Sequence, residues 1–337
     1  MKRRRVLLLV HELLVPPQGA EELPDDEYDL IKTEHHVLVD LQTLGHEVRV
    51  VGISDSLAPL RVALQEFRPH IVFNLLEEFA DQRIHSHAVV SYLELMRVPY
   101  TGCNPRGLAL AQDKAISKKI LSYHRIPTPR FQVMPRGRKP RRRRGLEFPL
   151  IVKSLLADAS EGLSEASVVH SDDKLLSRVE FIHRTLGDAL VEQYIPGREL
   201  YCGVMGYRRV EALPVWEMRM TALRAGAPNI ATRRIKWDLE YQKRVGLEIS
   251  RAREIDPALE ARVQQVSKRV FSLLNMTGWG RMDFRVTADG QLYVLEANPN
   301  GDIAYGEEFA SSAEAAGYTY PALLQRVINI GLRAAGK

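Results

Sequence analysis

Apolar positions recur along this chain with two different periods, and the changes of period divide it into three segments. From Val6 to about Tyr100, short apolar runs at Val6–Val10, Glu47–Gly52, His70–Leu75 and Val98–Tyr100 alternate with stretches of helical period such as Lys32–Leu44 and Ser86–Met96. Strands and helices in alternation predict a parallel sheet covered by helices, a half-size open α/β lobe. From Gln112 to about Gly206 the pattern predicts a helix over Asp113–Tyr123, a passage marked by Pro127, Pro129 and Pro135, and strands at Pro149–Leu155, Ala166–His170 and Ala189–Tyr194. The last segment predicts a hairpin around Gly206, a charged stretch from Arg219 to Arg253, an amphipathic helix and a final hairpin. In that helix Leu259, Val263, Val266, Val270 and Leu274 fall on one face.

Composition narrows the class. At 337 residues the chain exceeds one ordinary core, so two or three packed lobes are expected. Apolar residues at 45% and charged residues at 26% exclude a disordered, collagen-like or coiled-coil chain. The net charge is +5, but Arg136–Arg144 alone carries seven positive charges and the rest sums to −2, so a general nucleic-acid binder is not indicated. That basic run, 136–145, reads as a solvated linker that forms no packed element; contact with an anionic partner is the alternative, weakened by the lack of interleaved aromatics. Cys103 and Cys202 form no CxxC pair, which fits a reducing compartment. The basic and apolar N-terminus imitates a signal peptide until His11 and Glu12 interrupt it, and no stretch approaches the roughly 20 apolar residues that span a bilayer. A cytoplasmic protein is expected.

The richest chemistry lies between Gly280 and Asn298. Two strand-like runs flank Asp289-Gly290, a two-residue turn signal that pairs Ala288 with Gln291. Counting back, Asp283 faces Glu296 and Arg281 faces Asn298 on one side, while Met282, Phe284, Val286, Tyr293, Leu295 and Ala297 form an apolar face on the other. Facing carboxylates lie about 5 Å apart at Cβ and repel unless a proton or cation sits between them. With the Asn298 oxygen, the cluster suits Mg2+ shared with nucleotide phosphates. A surface hairpin with incidental charges and a glycosidase-type acid pair are the competing readings. His85-Ser-His87 is not a metal pair, because two-residue spacing on a helix points the rings to different faces. Glu77-Glu78 follows a strand at the carboxyl end of a parallel sheet, where ligands collect, though a solvated loop reads equally well.

Five collinear elements carry a family resemblance: Asp113–Lys118, Pro149–Lys153, Val191–Glu199, Gly278–Asp283 and Leu295–Gly301. Over about Gln112 to Val327 the chain resembles the ATP-grasp carboxylate–amine ligases, within them the D-alanine–D-alanine ligase group. The resemblance implies an α/β (α+β ATP-grasp) fold with an N-terminal open parallel lobe over 1–111, a central subdomain over 112–206 and a C-terminal subdomain over 207–337, the last two clamping ATP. It implies Lys153 and Lys114 at the phosphates; Glu192, Tyr194 and Ile195 around the adenine; Glu199 on the ribose; and a mobile loop Ala159–Ser164 over the phosphates, with Ser160 and with Gly162 letting the backbone come close. It further implies Asp283, Glu296 and Asn298 as ligands of two Mg2+ ions, with Mn2+ admissible. Arg281 would stabilise the acyl phosphate, and Lys236 would reach the γ-phosphate unless Arg233 or Arg234 takes its place. Gly301, in the last matching element, belongs to the catalytic end. The activity implied is amide or peptide bond formation from a small-molecule or peptide carboxylate and an amine through an acyl phosphate, with ADP and phosphate released. The resemblance leaves room for a homodimer and gives no membrane or nucleic-acid role.

The chain also departs from that family. Val10–Pro17 replaces the glycine-rich turn with serine and glutamate after the first strand, and Pro299–Glu308 replaces the short serine-bearing turn after the metal strand. Asp302, Glu307 and Glu308 there would repel a substrate carboxylate, which points to a polyamine, a basic side chain or an amine without a nearby carboxylate; pairing of these acids with Arg219, Arg224 or Arg233 would remove that meaning. A true D-alanine–D-alanine ligase with a remodelled pocket and a nucleotide-binding regulator without turnover are the alternatives.

Overall fold

A computed structural model of the chain describes residues 2–157 and 160–336. Three sheets organise them. The first is parallel, with strands β1 (Arg5–His11), β2 (Glu47–Ile53) and β3 (Ile71–Asn74) in the order β2-β1-β3, and helices α1 (Asp25–Thr43), α2 (Ala58–Phe67) and α3 (Ser86–Leu95) connect or cover them. Val6–Val10 is fully enclosed, as expected of a central parallel strand covered on both faces. The expected strand at Val98–Tyr100 reduces to one bridge from Tyr100 to Val72, because Pro99 interrupts the ladder donors. Two helices follow, α4 (Pro105–Gln112) and α5 (Lys114–Tyr123).

The second sheet is antiparallel, in the order β4-β7-β5-β6, with β4 (Phe131–Met134), β5 (Leu150–Ser154), β6 (Val168–Val169) and β7 (Ala189–Gln193) backed by α6 (Asp172–Thr185). The strand expected over Ala166–His170 is only two residues long, its start taken by a single 3-10 turn at Glu165–Ser167. The basic run forms no helix or strand, but it is pinned: Gln132 brackets it by donating to the Arg141 carbonyl and accepting from Arg143 N, and Arg142 clasps Asp172 at 2.8 and 3.1 Å while stacking on Phe148. The run is exposed and forms no packed element, as expected, and these few contacts tie it to the sheet.

The third sheet has the order β10-β9-β8-β11-β12 and is built from β8 (Arg198–Gly206), β9 (Val210–Met220), β10 (Leu247–Arg251), β11 (Gly278–Val286) and β12 (Leu292–Pro299). Two short helices, α7 (Arg233–Trp237) and α8 (Leu239–Val245), interrupt it, α9 (Pro257–Leu273) packs on one face, and α10 (Glu308–Ala315) and α11 (Tyr320–Ala335) complete the chain. The final hairpin corrects the expected turn. Arg281 faces Asn298 and Asp283 faces Glu296 as counted, but the register then shifts at a bulge and Phe284 pairs with Val294, Val286 with Leu292. Thr287–Gln291 closes the loop, with Thr287 and Gln291 bonded to each other, in place of a two-residue turn. The extra residue is Leu295, so the apolar face of β12 is Leu292, Val294 and Ala297; Tyr293 and Leu295 leave it. Met282, Phe284 and Val286 remain in the core against Val263, Val270 and Phe271 of α9, each worth about 1.5–3 kcal/mol of burial.

The first and third sheets are joined closely. Val6, Leu8 and Val10 share a core with Trp279 and with Leu323, Leu324 and Val327 of α11. Gly278 lies so near Gly102 that a Cβ on it would stand 2.3 Å from the Gly102 backbone. This contact brings the carboxyl end of β1 and β3 alongside β11 and β12, which sets the site.

Candidate functional site

A cleft opens between the second and third sheets, and local structure explains each side chain in it. Asp113 caps α5 by accepting from Ala115 N and Ile116 N, which fixes Lys114 in the first turn with Lys118 one turn on. Strands β5 and β7 pair through Ile151 and Glu192, placing Lys153 and Glu192 on the wall. Thr232 caps α7 and aims Lys236 inward. Along β11 the two-residue alternation sends Arg281, Asp283 and Arg285 to the same side, and β8 adds Glu199 and Tyr201 opposite them.

The lysines are not surface lysines: their side chains are 6% (Lys114), 1% (Lys118) and 13% (Lys153) exposed. Lys153 Nζ lies 2.8 Å and Lys118 Nζ 2.9 Å from the Glu192 carboxylate, and Lys118 also donates to the Leu295 carbonyl at 2.6 Å. Burial opposes the charge of Glu192, yet the two lysines outweigh it and hold the carboxyl below its ordinary value. Burial likewise opposes the charge of Lys153, but Glu192, Glu296 and Glu199 hold its ammonium above the ordinary value, whereas for Lys118 burial wins and the shift is downward. Lys114 donates to the Ala157 carbonyl at 2.8 Å and stands 3.9 Å from Glu296.

At the other wall Arg281 grips Asp283 through two bonds of 2.8 and 3.0 Å, reaches Glu308 at 3.3 Å and lies over the Tyr201 ring. Asn298 donates to Asp283 at 3.0 Å. Burial raises Asp283 to about 6 in spite of Arg281, with Glu296 and Glu199 adding repulsion. Burial opposes ionisation of Glu296 too, but Lys114, Lys153, Lys236 and Arg281 hold it down to about 2. Two facing carboxylates, one of them reluctant to ionise without a cation, and an amide that would add its oxygen once turned over make a donor set that fits Mg2+. Among the described residues no group of three or more His, Cys, Asp or Glu side chains gathers to hold a metal, so oxygens from a phosphate would have to complete the shell.

The cleft collects eleven of the expected site residues, while Asn298 lines a narrow cleft beside it and Gly301 the cavity beyond. Lys114, Lys153, Ser160, Glu192, Tyr194, Ile195, Glu199, Lys236, Arg281, Asp283 and Glu296 line the cleft itself. Gly162 does not: a Cβ there would stand 2.5 Å from Leu186, so its bareness serves packing on α6, with φ +70° as a second reason. Ala159 lies outside the described residues. Neither rival of Lys236 lines the cleft, Arg234 being bound to Asp238. Arg219 pairs with Glu248 and Arg224 with Glu165, so neither of these neutralises the acids after β12; Glu308 turns to Arg281 instead. His85 and His87 each lie against a backbone carbonyl. Sequence reasoning missed Lys118, which shares a helix face with Lys114, and Arg285, which shares a strand face with Arg281 and bonds Glu199 at 2.5 Å.

A second cavity, of about 490 Å³, lies where β1, β3 and α1 meet the segment after β12. Glu34, Glu77, Glu78 and Asp302 line it, with Asn300 and Gly301 at the end near Arg281. A narrow cleft lined by Arg83, Gln112, Lys114, Glu296, Asn298 and Pro299 joins the two, sharing Lys114 and Glu296 with the first and Arg83, Gln112 and Pro299 with the second.

Residues 120–329 match the family described as D-ala D-ala ligase C-terminus. An uncharacterised protein, y4sG, of Sinorhizobium fredii is 30% identical over 306 residues, 88% of this chain and 86% of that protein. A D-alanine–D-alanine ligase of Nitratidesulfovibrio vulgaris strain Hildenborough is 32% identical over 302 residues, 88% of this chain and 91% of the relative. Among solved structures, the D-alanine–D-alanine ligase of Bacillus anthracis complexed with ATP superposes with a TM-score of 0.75 over 98% of both chains at 23% identity, a likeness of fold.

Proposed function

This chain belongs to the D-alanine–D-alanine ligase family of ATP-grasp carboxylate–amine ligases, and from that membership we propose how its residues divide the work. The enzyme forms C–N bonds at the expense of ATP. The observation that carries the assignment of roles is the continuity of the two cavities through Lys114 and Glu296, which puts a cationic, carboxylate-bearing nucleotide cleft against a separate substrate cavity.

Lys153, Lys114 and Lys236 bind the phosphates, and Glu192 keeps Lys153 charged and aimed until they arrive. Tyr194 and Ile195 offer backbone and apolar surface to the adenine, and Glu199, fixed by Arg285 and Tyr201, accepts from the ribose. Asp283, Glu296 and Asn298, its amide turned over, would hold Mg2+, which when bound neutralises phosphate charge and aligns the transfer. A substrate carboxylate oxygen attacks the γ-phosphorus as its bond to the ADP oxygen breaks. The lone pair of an unprotonated amine then attacks the acyl carbon, phosphate leaves with the C–O electrons, and the amine's surplus proton passes to solvent. Arg281, beside Gly301, lies where charge develops on that intermediate. A regulator without turnover would have no use for this full set. ADP formation from Mg-ATP with pooled carboxylates and amines tests the reading: stimulation by a carboxylate–amine pair supports it, and nucleotide binding with no stimulation by any pair overturns it.

A further inference from the structure

The second cavity holds an arrangement the ligase chemistry leaves unexplained. Glu34 sits on the buried stripe of α1 with Ile31, Val37 and Leu41 and is only 6% exposed, and among the described residues its carboxyl meets only its own backbone N–H and no cationic side chain. A buried carboxylate with no cationic partner is costly to ionise unless it keeps a proton or receives a cation. Glu77 at the end of β3 and Asp302 after β12 both add repulsion, and burial with that repulsion pushes Glu34 up to about 7. Arg83 lies 3.7 Å from Glu77 and Lys32 offsets part of the charge at Asp302, but four carboxylates share the cavity wall with one guanidinium.

We propose that this cavity binds an aliphatic diamine or polyamine, one ammonium seated among Glu34, Glu77 and Asp302 and another amine presented to the acyl phosphate beside Gly301 and Arg281. Leu14, Leu30, Leu76 and Ile303 line the stretch between and suit a methylene chain. A substrate carrying its own carboxylate meets the same field with the wrong sign, so D-alanine is disfavoured as acceptor. The inference deepens the ligase reading and rests on it.

Calorimetry of the full chain saturated with Mg2+ and a non-hydrolysable ATP analogue tests it, with 1,4-diaminobutane, n-butylamine and D-alanine as titrants. The diamine should bind at least about tenfold tighter than either other probe, and Glu34→Gln or Asp302→Asn should each weaken it about tenfold while nucleotide affinity is unchanged. Equal binding of n-butylamine or D-alanine overturns the inference, as does diamine binding that ignores both substitutions. Asp302→Asn keeps the test decisive if the Gln variant misfolds. Nucleotide binding without diamine binding sinks this inference alone, whereas failure of the nucleotide to bind sinks the ligase reading and the inference with it.

Discussion

Glu34→Gln separates stability from function at one buried position. A carboxyl raised from 4.5 to about 7 holds in the folded state a proton that the unfolded chain releases. The folded state therefore binds more protons between those values, and stability falls as pH rises from about 4.5 through about 7. The elevation corresponds to about 3 kcal/mol once both states are ionised. Gln has nearly the same shape and no charge to bury, so the variant should match the parent near pH 4.5 and exceed it by up to about 3 kcal/mol at pH 8. Urea unfolding at pH 4.5, 6, 7 and 8 reads the difference directly. A difference that does not grow with pH, or a variant less stable at pH 8, would show that Glu34 is ionised and well partnered. A diamine should narrow the gap by stabilising the parent more than the variant, the usual conflict between a binding site and its scaffold.

Three further outcomes follow from the cleft. Lys153→Ala should weaken ATP binding by about tenfold to a hundredfold and leave adenosine within about twofold, since a charged phosphate partner is lost while Tyr194 and Ile195 stay in place; parallel calorimetry would show equal losses if the lysine were structural. Asp283→Asn or Glu296→Gln should lower turnover at least about a hundredfold with unchanged far-ultraviolet circular dichroism, and undiminished Mg2+-dependent turnover in either would refute the ligand assignment. Arg285→Met should cost about 3–5 kcal/mol in urea unfolding by stranding Glu199 in the interior, and adding Glu199→Gln should restore part of it; a loss below about 1 kcal/mol would mean that Glu199 finds water.

The pairing of Asp283 with Glu296 was legible because side chains alternate strictly along a strand, and an error in the turn was cancelled by a bulge of one residue. That bulge left no compositional sign, so Leu295 was placed in the core although it lines the nucleotide cleft. Charge alone hid Lys118: on a helix, a fully buried lysine reads like a solvated one, and only its spacing from Lys114 marks the shared face. Glu34 carried a readable signal, a carboxylate on the apolar stripe of α1, but the residues that give it meaning, Glu77 and Asp302, are brought to it only by the tertiary fold.

The central claim, transfer of the γ-phosphoryl group to a substrate carboxylate, is open to one direct measurement. The enzyme is incubated with Mg-ATP, amines and carboxylates labelled with oxygen-18 in the carboxyl group, and the released phosphate is weighed by mass spectrometry. Phosphoryl transfer to the carboxylate leaves one labelled oxygen in each phosphate and one ADP per amide formed. Unlabelled phosphate, or AMP with pyrophosphate, would contradict it.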